Sequence, residues 1–327
     1  MVNFIIRRLL YMVVTLFFIS IISFILIDLP KGSYLETKIQ QLRQMGGEVP
    51  DAQIKALEIR YGVHDPVYVK YWKWFSGVLH GDFGESFAYN QPVSSLIWGR
   101  LAFSFALSFT AAILSWGIAI PLGVYSATHR YTIPDYIITV LQFTGVAIPE
   151  FLLALVLMVI ASSWLHQDVG GLVSRKFQDA PMSGAKLVDM LKHLWIPVVV
   201  ISAGATAWLT RVMRGNLLDV LNMQYIQTAR AKGLPERSVI WKHAVRNAMH
   251  PLVMALGGLL PALIGGEVIA SIVLNLPTTG PLMANALINK DMYLAITFLM
   301  FLSVLLLIGN LLADLLLAWV DPRVRLE

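Results

Sequence analysis

The chain of 327 residues contains no cysteine, and only 14% of its residues are charged. The lack of cysteine excludes disulfides, thiolate metal sites and cysteine nucleophiles. It also contains no Gly-x-x-x-x-Gly-Lys-Ser/Thr motif, so ATP chemistry is expected to reside on other subunits. Hydrophobic residues make up 57% of the chain and its mean hydropathy is +0.67. This composition favours several membrane spans over a soluble enzyme core.

Six apolar runs have the length expected of membrane-spanning helices. The first span is predicted over residues 9–29, and its uncharged stretch from Leu9 to Ile27 covers about 28 Å at 1.5 Å per residue, close to the thickness of the hydrocarbon layer. A cleaved signal peptide is the competing interpretation of this run, but the residues after it form no small-residue cleavage site. The other five runs are Leu101 to Thr128, Tyr136 to Leu165, Leu194 to Leu209, Pro251 to Leu276 and Met292 to Val320.

The sequence therefore predicts an all-α polytopic membrane protein with six transmembrane helices. Its predicted organisation is as follows: a tail (1–8), the first span (9–29), an extracytoplasmic cap (30–100), a five-helix core (101–320) that includes the loop 211–250, and a second tail (321–327). The tails and short loops on one side carry 12 Lys and Arg residues, against 5 in the short loops opposite. The positive-inside rule places both termini and the loop 211–250 in the cytoplasm.

The predicted cap combines an amphipathic helix with a segment rich in aromatic residues. The helix is expected over residues 52–61, and seven Tyr, Trp and Phe side chains follow between Tyr68 and Phe87. These rings could form a docking surface or lid, since Tyr and Trp are enriched at interfaces. They could equally pack the cap and anchor it at the headgroups. The sequence leaves both interpretations open.

The loop 211–250 has the pattern of two short helices separated by a glycine. The first helix ends before Gly233, and Pro235 opens the second. A helix of about eight residues is marginal alone in water, so the first one is expected to be held by contacts, either with its own second helix or with another protein. Small side chains such as Ala229 would let it lie close in a groove, Tyr225 offers an anchor, and Arg230 can meet an acidic rim. A positive loop that only sets topology is the simpler alternative.

These stretches resemble the permease subunits of dipeptide, oligopeptide and nickel ABC importers. The similarity is strongest from Tyr225 to Leu234 and from Lys242 to Pro251, which are similar to the cytoplasmic coupling loop of that family. Further matching segments are Phe4 to Leu9, Tyr61 to Pro66, Gly81 to Ser86, Asn310 to Asp314 and Asp321 to Arg325. They occur in the family's order and cover nearly the whole chain.

The resemblance implies a six-helix subunit that pairs with a second, homologous permease. Two ABC ATPases that bind ATP and magnesium, and an external substrate-binding protein, would complete the transporter, and the chain would itself bind no cofactor. In the family, the short helix before the glycine sits in a cleft of the ATPase. The residues to which the resemblance assigns ATPase coupling are Gln224, Tyr225, Thr228, Ala229, Arg230, Ala231, Lys232 and Gly233.

Two departures from the family pattern concern coupling and substrate. Gln227 and Thr228 stand where the general ABC pattern has Glu and Ala, a relaxation that peptide permeases share. Ser271 stands where peptide permeases usually have an acidic residue, while Glu267 lies one turn earlier. Together with the segments from Asp28 to Ser33 and from Leu274 to Pro281, this resembles a branch linked to oligosaccharide uptake. Oligopeptides or similar extended polar solutes are the expected substrates, with oligosaccharides as the alternative.

Three acidic residues fall within or near the predicted spans. A charge at the midplane costs about 3 kcal/mol, so each should face protein or water. Glu150 follows Pro149, which is expected to kink the third helix beside a cavity, and Glu267 follows two glycines suited to a gate. Both are candidates for the substrate pathway or a gate, with structural pairing as the alternative. Asp314 is expected to pair with a neighbouring helix or backbone.

Other classes of function remain as alternatives. A secondary transporter could couple uptake to protons through Glu150 or Glu267. A membrane receptor could sense a ligand through the cap, although six helices are more than sensing requires. The seven histidines form no dense ligand pattern, so no metal site is expected.

Overall fold

The computed structural model describes residues 2–28, 65–265 and 267–320. Five of its helices are long and apolar enough to cross a membrane, or six if one bent pair counts as a single span. This confirms the predicted all-α polytopic class. The first half of the predicted cap (residues 30–64), including the amphipathic helix expected over residues 52–61, lies outside the described residues, and the cap stays a prediction.

The helices and strands are numbered here in chain order. The elements of the first half are α1 (Val2–Asp28), α2 (Val67–Leu79), β1 (Glu85–Ser86), β2 (Gln91–Pro92), α3 (Val93–Thr128), α4 (Ile133–Ala147) and α5 (Glu150–Ser163). Those of the second half are α6 (Gly184–Leu221), α7 (Gln224–Ala231), α8 (Glu236–Ser238), α9 (Val245–Ala248), α10 (His250–Ala255), α11 (Leu259–Gly265), α12 (Val268–Val273), α13 (Thr279–Ile288) and α14 (Met292–Val320). A π-helical turn, Val239–Ala244, joins α8 to α9, and β1 pairs antiparallel with β2.

The third predicted span is broken rather than kinked. The axes of α4 and α5 differ by 106°, and the break falls at Ile148 and Pro149. Proline lacks the N–H needed to continue the helix and disfavours helical geometry in the preceding residue. Ile148 accordingly has an extended backbone, with φ −78° and ψ 121°. The sequence predicts a kink at Pro149, whereas the structure shows a break of 106° between two helices.

The fourth span is much longer than its apolar run. α6 has 38 residues, beginning ten residues before Leu194 and ending twelve after Leu209. Part of the predicted loop 211–250 is therefore a continuation of this helix. Charged residues end the hydropathy signal there, yet Met213, Leu217 and Val220 keep a buried helical face. Ser183 caps the start of α6, where its Oγ accepts a hydrogen bond from the Lys186 N–H at 3.2 Å.

The fifth predicted span consists of several short helical pieces, whereas the sixth is one helix. The pieces are α10, a 3-10 turn, α11 and α12, and together they cover His250–Val273. Gly257 lies in the turn, where an added Cβ would come 2.5 Å from Asn310 Oδ1. Only glycine permits this close approach of α14. The sixth span, α14, has the bounds predicted from its apolar run.

The chain divides into two compact units. The first contains residues 1–102 and 279–307, and Phe24, Trp74 and Ile296 form a buried hydrophobic cluster in it. The Tyr71 hydroxyl lies 2.8 Å from Ser20 Oγ, which fixes α2 against α1. Tyr68 and Trp72 on the same helix are 74% and 63% exposed. The aromatic residues of the predicted cap are therefore divided between packing and an exposed surface.

The second unit contains residues 103–278 and 308–327. Its largest buried cluster brings the end of α6 together with the elements that follow it. The members of this cluster include Met213, Leu217, Ile226, Ala229, Val239, Ala244, Val245 and Leu252. The segment expected to couple to another protein is thus packed on the core of its own unit.

Candidate functional site

The segment from Gln224 to Ala248 forms two helical arms around Gly233, and we call it the helical elbow. Its first arm, α7, has eight residues, and two residues separate it from the end of α6. Met223 precedes it with an extended backbone, and no side chain caps its start. So short a helix depends on packing contacts.

One face of α7 packs against the chain itself. Ile226 is fully buried and Ala229 is 8% exposed, and both belong to the same apolar cluster as Val239 and Ala244 of the second arm. The small side chain of Ala229 is predicted to let α7 lie close in a groove. Of the two partners predicted for α7, its own second helix supplies neighbours of Ala229, which lies on the inner face of the amphipathic helix.

The turn between the two arms has the predicted glycine and proline. Gly233 has φ +76°, and its N–H bonds to the Arg230 carbonyl at 2.9 Å. Pro235 then precedes the second arm with φ −61°. No atom lies within 4 Å of the position a Gly233 Cβ would occupy, apart from its chain neighbours. Glycine is required here by the left-handed backbone conformation and not by close packing within the chain.

Two side-chain contacts join the arms of the helical elbow. Arg230 donates to both carboxylate oxygens of Glu236, with distances of 2.7 and 3.1 Å. This hydrogen bond lowers the pKa of Glu236 below its ordinary value and raises that of Arg230. Asn247 Nδ2 donates to the Tyr225 hydroxyl at 2.6 Å. Arg230 and Tyr225, predicted to contact a partner, thus also hold the elbow together.

The opposite face of α7 is free to meet a partner. Its exposed residues include five of the predicted coupling residues: Gln224, Thr228, Ala231, Lys232 and Gly233. Met223, Leu234 and Trp241 add apolar surface around it, with exposed fractions of 47%, 39% and 50%. Apolar and cationic groups side by side on a rigid short helix are suited to docking against an apolar cleft with an acidic rim.

A buried ion pair lies near the end of α6 that leads to the helical elbow. Arg214 Nε and Nη2 donate to the two oxygens of Asp135, each at 3.1 Å. Ser126 also donates to Asp135, and the Tyr131 N–H completes the carboxylate's contacts at 3.0 Å. We call Asp135, Arg214 and Ser126 the Asp135 clamp, which joins α3, α4 and α6. Sequence reasoning missed it, although an acidic residue directly after Pro134 at a helix start was an available signal.

The two predicted pathway residues have different surroundings. Glu150 is half-buried at the start of α5 and lines a pocket of about 300 Å³ together with Gly145, Pro149, Gly204 and Trp208. Glu267 is fully buried, and its Oε2 accepts from Ser108 Oγ at 3.0 Å. The structure therefore does not bring these two carboxylates together in one site. Asp314 is half-buried on α14 and has an interaction partner, in keeping with its expected pairing.

The described residues contain no group of three or more His, Cys, Asp or Glu side chains placed to hold a metal ion.

Comparison with known proteins identifies the class to which this fold and segment belong. Residues 119–326 match the family of binding-protein-dependent transport system inner membrane components. Residues 1–108 match the N-terminal region of such membrane components. The chain belongs to this family. It is a multi-pass inner-membrane transport subunit and not an enzyme.

Individual relatives narrow the class to ABC permeases of the peptide and nickel group. The chain is 36% identical to the oligopeptide transport system permease protein AppB of Bacillus subtilis, covering 99% of this chain and 100% of AppB. It is 32% identical to OppB, the oligopeptide permease of Escherichia coli K12, over 99% and 100% of the two chains. The nickel import permease NikB of Staphylococcus aureus is 29% identical, over 98% and 91%. The resemblance drawn from the sequence motifs is confirmed, whereas an oligosaccharide branch receives no support.

Proposed function

We propose that this chain forms half of the translocation pathway of an ATP-driven importer for oligopeptides or similar extended polar solutes. Its partners are a second homologous permease, two ABC ATPases and an extracytoplasmic substrate-binding protein. ATP and magnesium are bound by the ATPases. The observation that carries this proposal is the full-length similarity to AppB and OppB, both oligopeptide permeases.

In this proposal the helical elbow lies in the cytoplasm, with both termini, and transmits ATPase movement to the membrane helices. Two features support the role. The inner face of α7 is packed on the core through Ile226. A movement of α7 is therefore transmitted to the rest of the second unit. The outer face around Thr228 and Ala231 is exposed and can enter a cleft.

Glu150 is the stronger of the two candidates for contact with substrate. It lines an open pocket at a helix break, where water and a polar solute can reach a carboxylate. Glu267 is enclosed by its own unit, so we assign it to the gate region and not to direct substrate contact. Glu150→Gln should lower uptake of cationic substrates more than that of neutral ones.

Cysteine labelling tests the proposed ATPase contact. Because this chain has no native cysteine, only the introduced cysteine can be labelled on it. Thr228→Cys would be exposed to a bulky, water-soluble maleimide in the permease pair and protected once the ATPases are bound. Gln178→Cys, exposed in the segment between α5 and α6, is the matched control and should label equally in both states. Equal labelling of Thr228→Cys with and without ATPases would refute the assignment.

Uptake into proteoliposomes tests the transport class and the substrate. The full assembly with internal ATP should accumulate oligopeptides, and the permease pair without ATPases should not. Gradient-driven uptake by this chain alone would instead identify a proton-coupled secondary transporter. The melting temperature of the cognate binding protein, measured with oligopeptides, oligosaccharides and nickel in turn, identifies the ligand.

A further inference from the structure

A buried carboxylate lies in the broken fifth span. Glu267 follows the end of α11 at Gly265, directly precedes α12, and is fully buried. Its Oε2 receives a hydrogen bond from Ser108 Oγ, whereas its Oε1 has no hydrogen-bond partner among the residues that the structure describes. A buried charged oxygen without a partner is costly, so the site must be completed by something else.

Further hydroxyl groups surround this carboxylate. Ser104 is fully buried one helical turn before Ser108 and also lies beside Glu267. Thr278 is fully buried next to the carboxylate, but its Oγ1 makes no hydrogen bond of normal geometry. Ser271, one turn after Glu267 on α12, is fully buried with an unpartnered Oγ. We call these five residues the Glu267 cluster.

Among the described residues, no Lys, Arg or His side chain forms an ion pair with Glu267. Hydroxyl dipoles reduce the cost of burying a carboxylate, but they do not neutralise it. Either a proton or a bound cation must therefore supply one positive charge.

The atoms available to bind the positive charge favour a metal cation over a proton. They are all oxygen atoms, the ligands preferred by hard cations such as those of the alkali and alkaline-earth metals. Sodium sites in membrane proteins commonly lie where a membrane helix is broken, as the fifth span is at Glu267. With a single carboxylate, a monovalent ion neutralises the site and a divalent ion does not.

We propose that the Glu267 cluster binds a monovalent alkali cation, with sodium as the ion to test first. The ion would join α3, which carries Ser104 and Ser108, to α12 and to the Thr278 segment. It would thereby fix the broken fifth span in one arrangement. The proposal is independent of the transported solute and of the ATPase contact.

Thermal unfolding of the purified full-length chain in detergent tests the proposal. NaCl, KCl and N-methyl-D-glucamine chloride are compared at constant ionic strength, because ligand binding raises the melting temperature with ligand concentration. We expect sodium to raise it by several degrees (about 3 to 6 °C) relative to the organic cation. The same melting curve in all three salts would overturn the proposal and assign the charge to a proton.

Variants of the Glu267 cluster test whether the sodium-dependent shift in melting temperature arises there. Glu267→Gln preserves shape and should abolish the sodium-dependent shift, whereas Glu236→Gln removes an exposed carboxylate and should retain it. Ser271→Ala and Thr278→Val keep the carboxylate but remove ligands, and each should weaken the shift, which keeps the test decisive if Glu267→Gln fails to fold. Full retention of the shift in these three variants would show that the ion binds elsewhere, and the proposal would be wrong.

Discussion

Asp135 and Glu267 are both buried carboxylates of the second unit, yet they are stabilised in different ways. Asp135 receives two hydrogen bonds from Arg214, together with bonds from Ser126 and a main-chain N–H. The groups beside the Glu267 carboxylate are hydroxyls and its own main-chain N–H, and among the described residues no Lys, Arg or His pairs with it. Arg214 keeps 27% of its side chain exposed, so its guanidinium retains some hydration while it binds Asp135. Glu267 lies within an apolar span, where the guanidinium of an arginine partner could not stay hydrated.

The comparison shows that Arg214 neutralises one carboxylate, whereas no described residue neutralises the other. The Asp135 clamp fixes the ends of three helices close to the start of the helical elbow, and this suits a rigid base for transmitting movement. The Glu267 cluster is at a helix break and depends on an additional positive charge. Substitutions that remove single partners test each side of this comparison.

The largest effect is expected from Arg214→Ala, which leaves Asp135 buried without its cation. Breaking a buried ion pair costs about 3 to 5 kcal/mol, and the partial exposure of Arg214 places the loss near the lower limit. Thermal or denaturant unfolding in detergent measures it. Arg211→Ala, an exposed arginine on the same helix, should change stability by less than about 0.5 kcal/mol. Equal effects of the two substitutions would show that the Asp135 clamp adds no stability.

Removing one hydroxyl from the Glu267 cluster should lower the stability of the chain more than removing one from the Asp135 clamp. Ser108→Ala removes the hydrogen bond to Glu267 Oε2 and should cost about 2 kcal/mol, typical of bonds to charged groups. Ser126→Ala leaves Asp135 with Arg214 and the Tyr131 N–H, so its cost should be about 1 kcal/mol. Unfolding measurements on the pair compare them directly. A greater loss for Ser126→Ala would reverse the proposed difference between the sites.

The helical elbow provides a contrast in which backbone conformation, and not buried charge, determines the shape. Gly233→Ala places a side chain at φ +76° and should cost about 1 kcal/mol, although open space surrounds the position. Gly215→Ala on α6 also meets open space but has helical geometry, so it should stabilise the chain by up to about 1 kcal/mol. Opposite signs in unfolding experiments would confirm that conformation matters at Gly233. A neutral Gly233→Ala would remove this explanation.

The sequence predicted those features that depend on local chemistry. The apolar runs predicted the class, Gly233 and Pro235 predicted the turn of the helical elbow, and Pro149 predicted a disturbance of the third span. The extent of that break, the length of α6 and the inward direction of Ala229 depend on packing between distant segments. The Asp135 clamp joins residues up to 88 positions apart. A single sequence contains no signal that pairs Arg214 with Ser126 or Glu267 with Ser108.

The smallest effect is expected at Glu236, which shares with Asp135 an arginine partner but not its burial. Arg230 lowers the pKa of Glu236 below the ordinary value of 4.5, so the ionised pair contributes stability above that value. This contribution is lost as the pH falls through the lower folded-state pKa. With side chains 36% and 55% exposed, the pair is worth only about 0.2 to 0.5 kcal/mol.

Unfolding of wild type and Glu236→Gln should therefore differ slightly near neutral pH and converge in acid. Arg230→Gln should give the same small difference, and high salt should reduce it, because exposed charges are screened. A loss as large as that of Arg214→Ala, insensitive to salt, would mean that the exposed pair is as important as the buried one. Burial would then not be the property that separates Asp135 from Glu236, and the additional charge proposed at Glu267 would lose its main physical argument.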